Sequence, residues 1–121
     1  MPQGGEEIMT IEHYSYGKII IDGKTYHQDL IVYPDRIDPA WIVAGGNTLA
    51  VDDILDILRE EPEILIIGTG FHGGLIVPDL VKTQVMRQGI NLMATKTEQA
   101  VKFYNTIMQD QKTIAAFHLS Y

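Results

Sequence analysis

"EILIIGTGFHGG", Glu63 to Gly74, decides how the rest of the chain is read. Its apolar part, "ILII", has no polar alternation, the pattern of a strand covered on both faces of a sheet. Gly68, Gly70 and Gly73 follow at once, in the G-x-G-x-x-G spacing of a dinucleotide-binding turn. The distance from Ile64 to Met93, about 30 residues, also suits one strand–helix–strand unit. Three features argue against a dinucleotide. In that fingerprint the last glycine lies inside the opening helix, whereas here the helix signal begins near Pro78. The next strand, "INLMA", ends without an Asp or Glu to bind a ribose hydroxyl. A chain of 121 residues leaves little room for a substrate domain. No Gly-Lys-Ser/Thr follows the loop, which argues against a phosphate-binding P-loop as well.

Outward from this stretch, short strands alternate with helices. A first helix is expected over Leu49 to Glu60, capped by Thr48, with Asp52 and Asp53 near its positive end. Val51, Ile54, Leu55 and Leu58 would face a sheet. A second helix enters through Pro78, runs to about Gln88 and closes on Gly89 in a left-handed conformation. A third is expected to start from a capping box, Thr95 with Glu98, and to bury Ala100, Val101, Tyr104, Ile107 and Met108. "KTIAAFHL" then reads as the last strand. On the other side, residues 8–33 read as antiparallel strands, with Asp22-Gly23 as a two-residue hairpin turn. Pro34 and Pro39 end that region, and "AWIV", Ala40 to Val43, reads as a short further strand. The pattern predicts an α/β fold: a βαβ core whose β-rich front covers an edge or end of the same sheet. Length and an apolar content of 45% fit one domain over residues 1–121, with residues 1–8 as a flexible lead-in.

Nine basic and sixteen acidic residues give a formal charge of -7 and no basic stripe, so nucleic-acid binding is not expected. No segment approaches the roughly 20 apolar residues of a membrane helix, and no secretory signal opens the chain. The expected address is therefore the cytoplasm, with no membrane partner. The absence of cysteine excludes disulfides, thiolate zinc sites and cysteine nucleophiles.

The glycine loop lies beyond the carboxyl end of a strand, where open sheets place ligands. Free N–H groups there could cradle a small anion. Thr69, Gly70, His72 and Gly73 are the candidate ligand-binding residues, His72 as a proton carrier and Thr69 as an orienting hydroxyl. The plainer alternative is a sharp turn at Gly68 and Gly70 with His72 facing solvent. His13, His27 and His118 sit in strand-like segments without metal-ligand spacing, so no metal or cofactor is implied. Asp52, Asp53 and Asp56 serve a helix start and a solvated face, and Asp35 and Asp38 shape a turn. Tyr14, Tyr16, Tyr26, Tyr33 and Trp41 form either an aromatic face for a partner or the inner face of a β layer. No catalytic residue is assigned.

Taken in order, "HYSYGKIIIDGKTYHQDLIVYPD", "ILIIGTG", "VPDLVKTQVMRQGINLM", "TKTEQAVKFYN" and "AAFHLS" resemble the Mth938-like family over Ile11 to Ser120. The resemblance implies a three-layer α/β domain, a mixed central sheet flanked by helices with an additional β layer. It implies no established reaction. Eukaryotic relatives include a mitochondrial factor for assembling respiratory complex I and a cytosolic protein linked to adipocyte differentiation, which points towards protein–protein function. The lead-in, with two glutamates and no arginine, has no mitochondrial presequence character. The chain departs from the family where relatives carry an arginine or histidine after the tryptophan: "WIVAGGN" has neither. Some relatives end in cysteine, where this chain ends in Tyr121. These departures weaken any shared catalytic role. The expected function is that of an uncharacterised, non-enzymatic binding or assembly-type protein, with a protein partner or a second copy of itself. The alternative is a binder or weak enzyme for a small anionic or polar ligand at Gly68–Gly74.

Overall fold

The computed structural model describes residues 9–121, and the expected lead-in at residues 1–8 lies outside them. Strands β1 (Ile11–Ser15), β2 (Lys18–Ile21) and β3 (Lys24–Tyr26) form one antiparallel sheet in that order. Strands β4 (Leu30–Val32), β5 (Ile37–Asp38), β6 (Ile64–Thr69), β7 (Asn91–Thr95) and β8 (Thr113–His118) form a second, in the order β5-β4-β8-β6-β7. That sheet is mixed: β6 runs parallel to β7 and β8, and β4 runs antiparallel to β5 and β8. A 3-10 turn (Val51–Ile54) leads into α1 (Leu55–Arg59); α2 spans Asp79–Arg87 and α3 spans Thr97–Ile107.

Side chains of the central strands alternate between two apolar layers. Leu65 and Ile67, with Ile31, Ile114 and Ala116, meet Ile54, Ile57 and Leu58 and the inner face of α2, Val81 and Val85. Ile64 and Ile66, with Leu30, Val32, Ala115 and Phe117, meet Ala100, Val101 and Tyr104 of α3 and Ile11, Ile19 and Ile21 of the small sheet. The apolar run "ILII" is thus buried on both faces, as its lack of polar alternation predicts. The hairpin turn is also where the sequence places it: Asp22 and Gly23 have φ of 51° and 82°, the pair of positive values a two-residue turn needs. Pro78 immediately precedes α2, and Gly89 follows it at φ 80°.

Three expectations are corrected. The first helix does not begin at Leu49 under a Thr48 cap. Thr48 is extended, in a parallel bridge to Ile76, and the Asp53 carboxylate accepts from the N–H groups of Ala50 (2.8 Å) and Ala44 (3.2 Å). The chain therefore enters through a 3-10 turn, which advances about 120° per residue rather than 100° and rotates the apolar stripe. Leu55 faces outward and Ile57 is buried instead. "AWIV" is not a strand. Trp41 is buried with its indole N–H donating to the Asp53 carbonyl at 3.0 Å, Ile42 is exposed, and the position beside β4 belongs to β5. Finally, Thr95 ends β7 rather than capping α3; Lys96 stands at the cap without a side-chain bond.

The small sheet is tied to α3 by two neighbouring side chains. The Asn105 carboxamide accepts from the Ile11 N–H at 3.0 Å and donates to the Ile11 carbonyl at 2.8 Å, replacing a missing ladder partner. The Tyr104 hydroxyl donates to the Met9 carbonyl at 3.0 Å. Burial pushes the Tyr104 phenol from 10.0 up to about 12. The native state therefore holds this proton more tightly than the unfolded chain does. Its stabilising contribution is complete below about pH 10 and is lost as pH rises through about 12. Tyr104→Phe should flatten the loss of denaturation midpoint across that window; an identical pH profile in the variant would contradict the assignment.

Candidate functional site

β6 and β8 end side by side, with Thr69 paired to His118. Parallel partners point to the same face, so the Thr69 hydroxyl and the His118 imidazole are neighbours there. Asp29 precedes β4, and the pairing of Leu30 with Phe117 sets it opposite His118. Its carboxylate uses both oxygens: Oδ2 lies 2.7 Å from His118 Nδ1, and Oδ1 accepts the Leu119 N–H at 2.9 Å. The His118 side chain is only 8% exposed. A carboxylate on Nδ1 fixes a hydrogen there, so in the neutral ring Nε2 is the acceptor. Nε2 is buried and has no hydrogen-bond partner among the described residues.

The segment after β8 crosses the glycine loop. The Leu119 carbonyl accepts from the Gly17 N–H and the Tyr14 hydroxyl, each at 2.8 Å. The Ser120 carbonyl accepts from the Phe71 N–H at 2.7 Å, and the Tyr121 main-chain oxygen from the N–H groups of His72 (2.9 Å) and Gly74 (3.0 Å). The Gly70 N–H donates to Thr97 Oγ1 at 2.8 Å, whose own hydrogen goes to the His118 carbonyl at 2.6 Å. The loop donors that the sequence offers as free are therefore engaged by the chain itself.

The glycines follow from the same contacts. Gly70 has φ 109°, and a Cβ there would lie 2.6 Å from the Tyr121 carbonyl carbon and 2.8 Å from His118 Cδ2. A Cβ at Gly74 would lie 2.4 Å from Tyr121 Cδ2. The glycine loop is thus a bed for residue 121, whose ring stands 4.6 Å from the His118 ring at 74°. The G-x-G-x-x-G spacing has three separate causes: a Cβ at Gly68 would meet Thr97 Oγ1 (2.8 Å) and the Phe117 ring (2.9 Å), Gly70 lies against the Tyr121 main chain, and Gly73 turns at φ 76°.

On the outer side of the loop, Phe71 packs its ring against Tyr16 (5.7 Å) and His72 (5.0 Å), with Tyr14 at 6.4 Å. Tyr16 and Phe71 are 54% and 42% exposed. Tyr14 is partly covered, and burial pushes its phenol up to about 12. The aromatic group of the sequence therefore divides: Tyr33 and Trp41 are core, while Tyr16 is joined at the surface by Phe71 and His72.

Of the four candidate ligand residues, Thr69 closes β6, Gly70 is buried beneath Tyr121, Gly73 turns at φ 76°, and His72 is exposed among the aromatics. Asp29 and His118 are the polar pair that local reasoning does not bring together. The one available signal is a histidine closing a strand that is apolar from Ile114 to Phe117, since a buried polar group requires a partner.

Further cavities lie elsewhere among the described residues. One of about 210 Å³ adjoins Trp41, Asp53 and Asp56, one of about 450 Å³ lies between β7 and α3, and one of about 220 Å³ lies between β7 and α2. Among the described residues no cluster of three His, Cys, Asp or Glu side chains could hold a metal, and no helix is long and apolar enough to cross a membrane.

A family model described as "Protein of unknown function (DUF498/DUF598)" matches residues 11–119. Among solved structures, the chain is similar to a conserved hypothetical protein, PH1505, from Pyrococcus horikoshii OT3. The two share 25% identity with a TM-score of 0.84, over 93% of this chain and 100% of that one. It is similar in fold to the protein titled MT938, at 22% identity and TM-score 0.76, over 94% of this chain and 100% of that one. It is also similar in fold to a Bordetella pertussis protein described as a Mth938-like domain. There the identity is 16% and the TM-score 0.66, over 98% of this chain and 92% of that one.

Proposed function

Because the chain belongs to the DUF498/DUF598 family of unknown function and has the Mth938-like fold, function must be argued from the site, and we propose a non-enzymatic protein-binding module. One observation carries this reading: the contiguous exposed aromatic face of Tyr16, Phe71 and His72. Aromatic side chains give large contact area for few lost rotamers, and they dominate the centres of interfaces. The face is also pre-organised, because the loop carrying Phe71 and His72 is held by three hydrogen bonds to Ser120 and Tyr121. The reading assigns the work to the cytoplasm, with a protein partner or a second copy of the chain on this face.

The test is a photo-crosslinking amino acid at position 16 of the full chain, in cell lysate, with and without Phe71→Ser. A discrete adduct that falls about tenfold or more in the variant, at unchanged melting temperature, supports the reading. Adducts of equal yield in both proteins would overturn it.

A second reading, a small anionic or polar ligand at Thr69, Gly70, His72 and Gly73, is favoured by one observation: the buried, unpartnered His118 Nε2 behind that loop.

A further inference from the structure

We infer that the bed beneath the glycine loop is a binding site for an aromatic group bearing a carboxylate or carbonyl, which Tyr121 fills from within the chain. The inference rests on the second reading above and gives its ligand a chemical class.

Three main-chain donors converge on two oxygens. The Phe71 N–H meets the Ser120 carbonyl, and the N–H groups of His72 and Gly74 meet the single oxygen of Tyr121. Paired donors on one oxygen are the arrangement that stabilises a carboxylate or a polarised carbonyl. The ring has its own seat. Gly70 and Gly74 leave space that no side chain could share with residue 121, and the His118 ring forms one wall. Aromatic and carbonyl recognition thus occur side by side, separated by the span of one aromatic amino acid.

The seat is imperfectly satisfied by its present occupant. Asp29 holds the hydrogen on Nδ1, and in the neutral ring Nε2 then presents a lone pair. Cδ2, bonded to Nε2, is one of the atoms a Gly70 Cβ would meet, at 2.8 Å beside the Tyr121 main chain, so this side of the ring lies against Gly70. A buried acceptor without a donor is costly, and Tyr121 offers it ring rather than N–H or O–H among the described contacts. A ligand with a hydroxyl or amide N–H beside its ring would supply that hydrogen. Thr69 pairs with His118 and so lies on the same face of the sheet. Tyr121 is itself 45% exposed, which makes it an occupant that can be displaced rather than a core residue.

Amide and imidazole NMR spectra of the full-length chain test this, in wild type and in Tyr121→Gly. The probes are N-acetyl-L-tyrosine, N-acetyl-L-tyrosinamide and acetate. N-acetyl-L-tyrosine should move the signals of Phe71, His72, Gly74 and His118, and Tyr121→Gly should tighten it about tenfold or more by removing the competing ring, the ligand's own oxygen then displacing the remaining main-chain oxygen of residue 121 from the His72 and Gly74 N–H groups. Adding His118→Ala to that variant should reverse the gain. Stronger binding of the acid than of the amide would identify a free aromatic acid as the source. Equal binding would identify an aromatic residue within a polypeptide. No shift at His118 in either protein would overturn the inference. So would acetate matching N-acetyl-L-tyrosine, although the simpler anion reading would then survive. If Tyr121→Gly does not fold, the wild-type titration to the same concentrations decides: a saturable shift at His118 supports the site, and its absence overturns it.

Discussion

Gly70→Val should lower the stability of the domain by about 3–5 kcal/mol, combining a β-branched residue at positive φ with overpacking. At φ 109° the backbone lies where side-chain-bearing residues are strained. The added atoms would also meet main chain, which cannot rotate away: the Tyr121 carbonyl carbon at 2.6 Å and its oxygen at 2.7 Å from Cβ alone. For a chain of this size the loss corresponds to a melting temperature lower by roughly 10–20 °C. A second consequence separates this from general damage. Relief of the clash requires Tyr121 to move, so the His72 and Gly74 amide hydrogens, now bound to its oxygen, should exchange faster with solvent than those of β6. A melting temperature within 2 °C of wild type would show that the loop accommodates a side chain, and the account of its glycines would fail. (The 2 °C margin is about 0.5 kcal/mol, the scatter of neutral surface substitutions.)

The parts of the fold legible in the sequence are those decided locally. Ile64–Ile67 could be read as a doubly covered strand because four consecutive apolar residues leave no face for solvent. Pro78 and Gly89 frame α2 because each residue type matches its backbone requirement without tertiary help. Misreadings cluster where a side chain answers a distant group. Asp53 caps from inside the first turn and also binds Ala44, so Thr48 is free to pair with Ile76. Thr97, not Thr95, is the threonine with structural consequence, because its hydroxyl joins Gly70 to the end of β8. The candidate site was legible in the same partial way. The Gly68–Gly74 loop stands out in any reading, but the sequence does not say whose oxygens its N–H groups meet. Asp29 and His118 are 89 residues apart, and only the antiparallel register of β4 on β8 makes them neighbours. The aromatic face has the same origin: Tyr16 comes from the β1–β2 turn and Phe71 from the loop after β6, and no periodicity links them.

Asp29→Ala should be the most damaging single change outside the apolar core and the glycine loop, at about 3–4 kcal/mol. The carboxylate is the shared acceptor for His118 Nδ1 and the Leu119 N–H, and its removal leaves two poorly solvated donors without a partner, each costing about 1–3 kcal/mol. Leu119 begins the segment that holds the loop, so the effect should travel: the Phe71 and His72 amides should lose exchange protection along with the Leu119 amide. Asp29→Asn separates the two halves of the pair. Its carboxamide oxygen can still accept from Leu119, but its NH2 group would face Nδ1. The imidazole then adopts the opposite tautomer, with the hydrogen on Nε2, which turns the buried acceptor into a buried donor. Asparagine should therefore cost about half as much as alanine, with the loop amides largely protected and the ring-nitrogen NMR shifts of His118 exchanged. If instead Asn and Ala were equally destabilising and equally freed the loop, the charge on Asp29 would be what holds residues 119–121. If neither moved the melting temperature, the Asp29–His118 contact would contribute nothing net, and the orientation of the His118 ring would need another cause.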